Sequence, residues 1–488
     1  MRRALAGFAV LWFGAAGLGR AQQLGPAGTG GVAALANALE HLGANKRVLV
    51  IGAHPDDEDT QLLTWLSRGI GAQAAYLALN RGEGGQNLIG PELGPELGII
   101  RTEELLAARS LDGARQYFTR VYDFGFSRSA DESFRFWPRD SVLADVGAVI
   151  RRFRPQIIVS VFSGTPADGH GQHQVAGILA RQAFDLLRDS TWGPVKLYRS
   201  TGFDTTATTL RIPTGGIDPI LGQSYFQIAM AGRSRHRSQD MGRVQRVGPA
   251  LTRLALVASK VGSGGELFSG IDTVWRGHER FQALLDSTRA RLSPFAPADI
   301  VPLLARASRA LGAADSAERV MLDGALANAA DVVVDATADD GIVTAGERVQ
   351  VEVAVWNAGA VPVPVDDVDL LAPAGWSIER ADPPSGSVAP NTVFVRRFAV
   401  TVAPDAPRSQ PYFLRRPMAG AVYDWSATTP DVRGLPFESP PLQARVRASI
   451  GGVPVTLTRE IAYRYNDQGS GGDSNGKPRT SGVVADQS

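Results

Sequence analysis

The sequence predicts a doubly wound α/β domain with a mostly parallel, Rossmann-like sheet, followed by a helical linker and a β-sandwich. Three observations carry that expectation. Val48-Leu49-Val50-Ile51 and Ile157-Ile158-Val159-Ser160-Val161-Phe162 are continuous apolar runs, the pattern of strands buried on both faces of a parallel sheet. Segments with helical spacing alternate with such strands, which is the order of βαβ units. From Asp331 onward the pattern becomes strict alternation, in VQVEVAVW at 349–356 and FVRRFAVTV at 394–402, with Pro and Gly clusters between the runs. That pattern predicts an antiparallel sandwich.

Composition sets the outer bounds. A chain of 488 residues has room for two or three domains and a large core. Hydrophobic residues at 44% and charged residues at 20% are ordinary for a globular protein. The net charge of +1 provides no field that would draw nucleic acid or an anionic membrane. The absence of cysteine excludes disulfides, thiolate metal sites and a cysteine nucleophile. With only six histidines, any two that fall close together carry information.

Taken in order, Met1-Arg2-Arg3 and the apolar run Ala4 to Leu18, ending in Gly19-Arg20-Ala21, predict a signal peptide over residues 1–21. The apolar run is shorter than the ~20 residues of a membrane span. The expected location is therefore secreted or periplasmic, with no membrane span in the mature chain. The Gly-rich stretch after it has no preceding strand and no Gly-Lys-Ser/Thr, so it is not a phosphate loop. Residues 31–42 read as a helix, 46–52 as a strand, 60–69 as a helix and 73–79 as a strand. A Gly-rich loop follows over 80–99, then a helix at 101–111, a strand at 116–123, a helix at 142–153, the strand at 155–162 and a helix at 175–187. The α/β domain is assigned to 22–290, a helical linker to 291–330 and the sandwich to 331–448. Residues 449–488 read as an extra strand and a flexible tail, with the run at 453–464 as the start of a further unit.

Two polar clusters follow two of the buried strands. HPDDE at 54–58 ends the first, and DGHGQH at 168–173 follows the strand at 155–162. Open α/β sheets place ligands at the carboxyl ends of strands, where distant residues meet. Three adjacent acids repel one another and need positive compensation, for which a metal ion is the simplest source. Two imidazoles and one carboxylate would leave open positions on such an ion, the pattern of a catalytic zinc site. Asp56 is then a candidate general base. His170, if protonated, is a candidate to stabilise an oxyanion and to protonate the leaving amine. Glu58 and Asp168 read as supporting or capping groups. Arg81, Glu83 and Asn87 on the Gly-rich loop are candidates to meet a polar substrate. His236 in SRHRSQD has two readings, one bordering the site and one on the surface. Against all this stands the plainer reading of HPDDE as a helix start, with Asp56 or Asp57 as the cap.

AHPDDE after an apolar strand, together with the later DGHGQHQ, resembles the zinc-dependent de-N-acetylases of the PIG-L/LmbE-like family. RGEGG at 81–85, RTEELLAA at 101–108 and SRHRSQ at 234–239 are similar to further blocks of that family. The resemblance covers roughly residues 46 to 245. It implies an LmbE-like fold, with His54, Asp57 and His173 as zinc ligands, Asp56 as general base and His170 as the charge-stabilising histidine. It also implies removal of N-acetyl groups from N-acetylglucosamine-type glycosides or glycoconjugates. Zinc is the expected cofactor, although another divalent transition metal satisfies the same ligands. The C-terminal alternation looks like the Ig-like accessory modules of secreted carbohydrate-active enzymes, which implies polysaccharide or cell-wall contact through the sandwich. Two other readings stand beside this one. They are a secreted, non-catalytic carbohydrate-binding protein on the same fold and a different metal hydrolase such as a phosphoesterase.

Overall fold

A computed structural model describes residues 29–464 apart from 189–191, 203–204, 263, 313–315 and 382–384. The leader expected at 1–21 and the tail expected from Asn466 lie outside the described residues. Among the described residues, no helix is long and apolar enough to cross a membrane.

The N-terminal unit is built on a seven-stranded sheet. Its strands are β1 (Arg47–Gly52), β2 (Gln73–Ala78), β3 (Arg115–Phe118), β4 (Ile157–Ser160), β5 (Lys196–Ser200), β6 (Leu210–Pro213) and β7 (Leu251–Ser259), in the order β3-β2-β1-β4-β5-β7-β6. The first five run parallel, and β7 pairs antiparallel with both β5 and β6. The helices of the chain are α1 (Gly31–His41), α2 (Thr60–Thr64), α3 (Pro95–Asp112), α4 (Ala130–Phe136), α5 (Arg139–Phe153), α6 (Gly171–Arg188), α7 (Tyr225–Arg233), α8 (Glu279–Arg291), α9 (Val301–Leu311) and α10 (Ser316–Ala329). A π turn, Trp65–Gly69, extends α2.

Strand alternation explains why β1 is apolar throughout. Val48 and Val50 pack with Leu62, Leu63 and Leu105 of α2 and α3, while Leu49 and Ile51 pack with Val146, Ile150, Val175 and Leu179 of α5 and α6. The chain runs outward from β1 to β2 and β3, then returns to place β4 on the other side of β1. The crevice between β1 and β4 is therefore the topological switch point, where such sheets bind ligands. Both polar clusters leave the sheet there.

Three differences from the sequence expectations have physical causes. The strand expected to Asp123 leaves β2 after Phe118, because the next residues pair with a C-terminal segment: Val121 bridges Val422, and Tyr122 N–H donates to Ala421 O at 2.9 Å. Helix α1 packs against α8 and α10 and shares a core with the C-terminal strands. The run expected at 453–464 joins the sandwich. As β15 (Val453–Glu460) it pairs along its whole length with β14 (Gln443–Ile450).

Those two belong to a four-stranded sheet, β12-β10-β14-β15, with β10 (Val363–Leu371) and β12 (Gly386–Val388). The facing five-stranded sheet is β11-β13-β9-β8-β16. It contains β8 (Val332–Ala338), β9 (Arg348–Asn357), β11 (Ser377–Arg380), β13 (Thr392–Thr401) and β16 (Ala462–Tyr463). Val353 and Phe398 from one sheet and Val365 and Val446 from the other meet in one core, which α8 to α10 extend. Pairing is antiparallel except between β16 and β8.

Helix α6 sits hard against the loop after β4. A Cβ at Gly177 would lie 2.1 Å from the backbone nitrogen of Gly164, so only glycine permits this approach. Gly177→Ala is expected to lower unfolding stability by about 1–3 kcal/mol, measured by chemical denaturation.

Candidate active site

The end of β1 is shaped by Asp57. Its Oδ2 accepts the backbone N–H groups of Ala53 and His54 at 3.0 and 2.7 Å, which turns the chain out of the sheet. Tyr76 Oη donates to the His54 carbonyl at 2.6 Å and fixes the turn from the neighbouring strand. The residue that caps α2 is Asp59, which accepts Leu62 N–H at 3.0 Å. Asp56 and Asp57 are thereby free of the capping task.

His54, Asp57 and His173 each bring one donor atom to a common point, all within 4.8 Å of one another. His54 Nδ1 lies 3.3 Å from Asp57 Oδ2 and 3.2 Å from His173 Nε2, and His173 Nε2 lies 3.5 Å from Asp57 Oδ1. The outer nitrogens have partners of their own. His54 Nε2–H faces Gln172 Oε1 at 2.7 Å, and His173 Nδ1 faces the Asp168 carbonyl at 3.4 Å. These partners favour tautomers that leave His54 Nδ1 and His173 Nε2 as bare lone pairs. The His173 ring also stacks on Phe162 at 4.0 Å. Two imidazoles and a carboxylate with fixed outer partners suit a divalent transition metal and leave room for a further ligand.

Electrostatics within the cluster follow from burial and proximity. Burial alone would lower the His54 imidazole, but Asp57 overrides it and lifts the ring to about 9. Burial would raise Asp57, and His54 instead pulls it well below the usual carboxylate range. Burial holds His173 below its ordinary value despite Asp57. Burial, with the charges of His54 and His173, holds His170 down to about 4. His170 Nδ1 accepts the Gln172 backbone N–H at 3.0 Å, so the neutral ring carries its proton on Nε2. The neutral ring so placed is a hydrogen-bond donor through Nε2, whereas the role expected from the sequence was conditional on protonation.

Asp56 is held from three sides in a strained backbone conformation, with φ of 95°. Glu58 Oε2 accepts its N–H at 2.9 Å, Arg233 donates to its carbonyl at 3.0 Å, and Arg101 donates to its Oδ1 at 3.1 Å. Burial raises the Asp56 carboxyl to about 6, against the pull of Arg101. A carboxylate poised there is ionised at neutral pH yet a better base than a solvated one. Asp168 receives the N–H groups of Ser163, Gly164 and Thr165 and shapes the loop ahead of α6.

The residues expected to meet substrate lie elsewhere. Arg81 is 1% exposed, with its guanidinium between the rings of Phe118 and Phe413 at 4.2 and 3.7 Å. Glu83 is buried and accepts from Tyr423 Oη at 2.7 Å. His236 is 0% exposed and bonds Glu58 Oε1 at 2.9 Å, so it is neither a surface residue nor open to a substrate. Asn87 is half-buried and spends its amide on Glu92. The Gly-rich loop turns inward because Gly82 and Gly85 let Arg101 lie against the backbone. A Cβ at either position would come within 2.3 or 2.5 Å of its guanidinium.

Sequence reasoning assigned no role to four groups that the structure puts around the cluster: Gln172, Asp123, Asn80 and Arg101. Gln172 Nε2 donates to Asp123 Oδ1 at 3.0 Å and Asn80 Nδ2 donates to Gln172 Oε1 at 3.0 Å. Two of them carried a signal: Gln172 sits inside the histidine motif, and Arg101 opens the RTEELLAA block. Phe126 is also new. Its ring is 72% exposed and meets His170 edge-on at 5.0 Å.

Fold and site together define a doubly wound α/β protein with a His–Asp–His cluster of metal-binding type at its switch point. Residues 49–184 match the family described as PIG-L: GlcNAc-PI de-N-acetylase, and that stretch is a PIG-L family domain. The chain is 32% identical over 168 residues to a 1D-myo-inositol 2-acetamido-2-deoxy-alpha-D-glucopyranoside deacetylase of Geodermatophilus obscurus, covering 31% of this chain and 56% of that one. It is 28% identical over 198 residues to the protein of the same name from Thermobispora bispora, covering 37% and 65%. The chain thus spans between half and two thirds of these relatives' lengths. Among solved structures, N,N'-diacetylchitobiose deacetylase from Pyrococcus horikoshii overlays with a TM-score of 0.31 at 19% identity, covering 40% of this chain and 71% of that one.

A metal at the cluster has to displace the His54 proton, which the apo site holds up to about 9. Protonation opposes binding, so zinc affinity is expected to rise with pH through the range in which His54 gives up its proton. A competition titration at several pH values checks this, and a His54→Ala chain that binds zinc as tightly as the parent would remove His54 from the ligand set.

Proposed function

We propose that the chain is a metal-dependent hydrolase that removes N-acetyl groups from acetamidosugar glycosides or glycoconjugates of the N-acetylglucosamine type. The observation that carries this reading is the convergence of His54 Nδ1, Asp57 and His173 Nε2 beside Asp56 and His170. Support comes from the family match over 49–184 and from relatives named as deacetylases of an acetamido sugar. Zinc is the proposed ion, with other divalent transition metals as functional substitutes.

His54, Asp57 and His173 would hold the metal, which would supply Lewis-acid polarisation of the acetamide carbonyl and a water of lowered pKa. Asp56 takes a proton from the attacking water, a task that its elevated carboxyl suits. His170 offers Nε2–H to the oxygen that becomes negative when the carbonyl carbon turns tetrahedral. The carbon–nitrogen bond then breaks, the proton taken by Asp56 passes to the departing amine, and the acetic acid left behind gives its remaining proton to solvent to become acetate. Arg101 keeps the Asp56 carboxylate aimed, because its guanidinium bonds both that side chain and the Pro55 carbonyl. Phe126 and Phe162 provide apolar surface against which a sugar ring can lie.

The remaining features are part of the same proposal. The basic and apolar leader composition of residues 1–21 supports export, and with it a secreted or periplasmic setting. The C-terminal sandwich is proposed to be Ig-like and to face glycan-rich surroundings.

Asp56→Asn is expected to lower kcat by roughly 10²- to 10⁴-fold while bound metal per chain stays the same. Acetate release and metal analysis read the two together, and wild-type turnover would remove Asp56 as the base. Chelation is expected to abolish acetate release from an acetamidosugar glycoside, and added zinc to restore it. A chain that binds such sugars but releases no acetate in any metal would instead be the non-catalytic carbohydrate-binding protein.

A further inference from the structure

The connection from β13 to β14, residues 402–442, does not stay with the sandwich. It crosses to the α/β unit and runs beside β3. Phe118 N–H donates to Gly434 O at 2.9 Å, and Tyr423 N–H donates to Arg120 O at 2.8 Å. Tyr412, Phe413, Tyr423 and Trp425 form a cluster of their own, all buried. Aromatic burial of this kind belongs to a core rather than to a surface loop.

This cluster grips both charged residues of the inward-turned loop. Arg81 is flanked by Phe413 and donates to Leu435 O at 3.1 Å, and Glu83 Oε1 accepts from Tyr423 Oη. From Glu83 an unbroken route leads to the site. Glu83 Oε2 accepts Asp123 N–H at 3.1 Å, Asp123 Oδ1 accepts Gln172 Nε2–H at 3.0 Å, and Gln172 Oε1 faces His54 Nε2 at 2.7 Å. Every side chain on that route is buried, so none can exchange its partner for water. Gly84 keeps the loop pressed on the next link, since a Cβ there would lie 2.4 Å from Gly125 N.

We propose that Tyr423 is a positioning residue for the metal site: its hydroxyl fixes Glu83, and through Glu83, Asp123 and Gln172 it sets the orientation of the His54 ring. The C-terminal unit is then a working part of the site instead of an appended module. This rests on the reading of His54 as a metal ligand. Without the Tyr423 hydroxyl, one buried oxygen of Glu83 loses its donor, and the loop shifts to regain one. That shift is passed to Asp123 and Gln172, which fix the tautomer and tilt of His54.

The experiment uses the full chain stripped of metal. Zinc affinity is measured by competition with a chromophoric chelator for the parent, Tyr423→Phe, Glu83→Gln and the double variant, alongside thermal unfolding. Tyr423→Phe is expected to weaken zinc binding by about tenfold, the lower end of what loss of an outer partner of a metal-bound histidine costs. The double variant is expected to bind no more weakly than Glu83→Gln alone, because both act through one route. Glu438→Gln, which alters only the Arg415 ion pair of the same connection, is expected to match the parent. Tyr423→Phe that melts earlier yet binds zinc like the parent would overturn the proposal, as would full additivity with Glu83→Gln. Where Tyr423→Phe yields no folded protein, Glu83→Gln decides alone, and parental affinity overturns the proposal. Because zinc affinity is read without turnover, a chain that releases no acetate sinks the deacetylase reading and leaves this test intact.

Discussion

Three carboxylates in succession at the end of a buried strand coexist only if each receives its own positive or donating partner. Asp57 is satisfied by two backbone amides and by the imidazoles of His54 and His173. Asp56 is paired with Arg101, and Glu58 with His236 and Arg109. Each partner comes from a different part of the chain or from a different turn of α3. The need to neutralise residues 56 to 58 thus explains the placement of α3, of the segment after α7 and of α6. Removing Arg101 would leave Asp56 without its one charged partner, whereas Asp57 and Glu58 each keep another.

The same arrangement divides labour among acids of one chemical kind. Asp57 is driven far down and remains an anion, suited to a ligand. Asp56 is raised toward neutrality, suited to a proton exchange. Glu58 is held low by His236 and Arg109 despite burial, suited to support, and it holds the strained Asp56 backbone through its N–H. Neighbours, not residue type, set these differences, which is how one strand end can carry a ligand, a base and a brace.

The C-terminal unit enters the same scheme. An appended module would be expected to touch its neighbour through a modest, polar surface. Here a connection from the sandwich inserts four buried aromatic side chains and pairs its backbone with the α/β unit at residues 118 to 122. Burial of the Arg81 guanidinium requires them, because Phe413, Tyr412 and Leu435 supply its cation–π face and acceptors. Helix α1, at the other end of the described chain, packs with α8 and α10 and so closes the N-terminal unit onto the C-terminal one.

The sequence by itself determined strands β1 to β4 of the sheet, the alternation of sandwich strands β9 and β13, and the pairing of HPDDE with DGHGQH at two strand ends. These are local signals, written in apolar periodicity and in residue types that rarely occur together by chance. Only the tertiary structure decided that Asp59 caps α2, that Arg81, Glu83 and His236 face inward, and that Gln172 and Asp123 orient His54. The physical reason is distance along the chain. A charged residue on a Gly-rich loop looks available to solvent until its partner is known, and the partner of Glu83 lies 340 positions away. Burial of a polar group depends on what arrives to satisfy it, and no periodicity in the loop records that arrival.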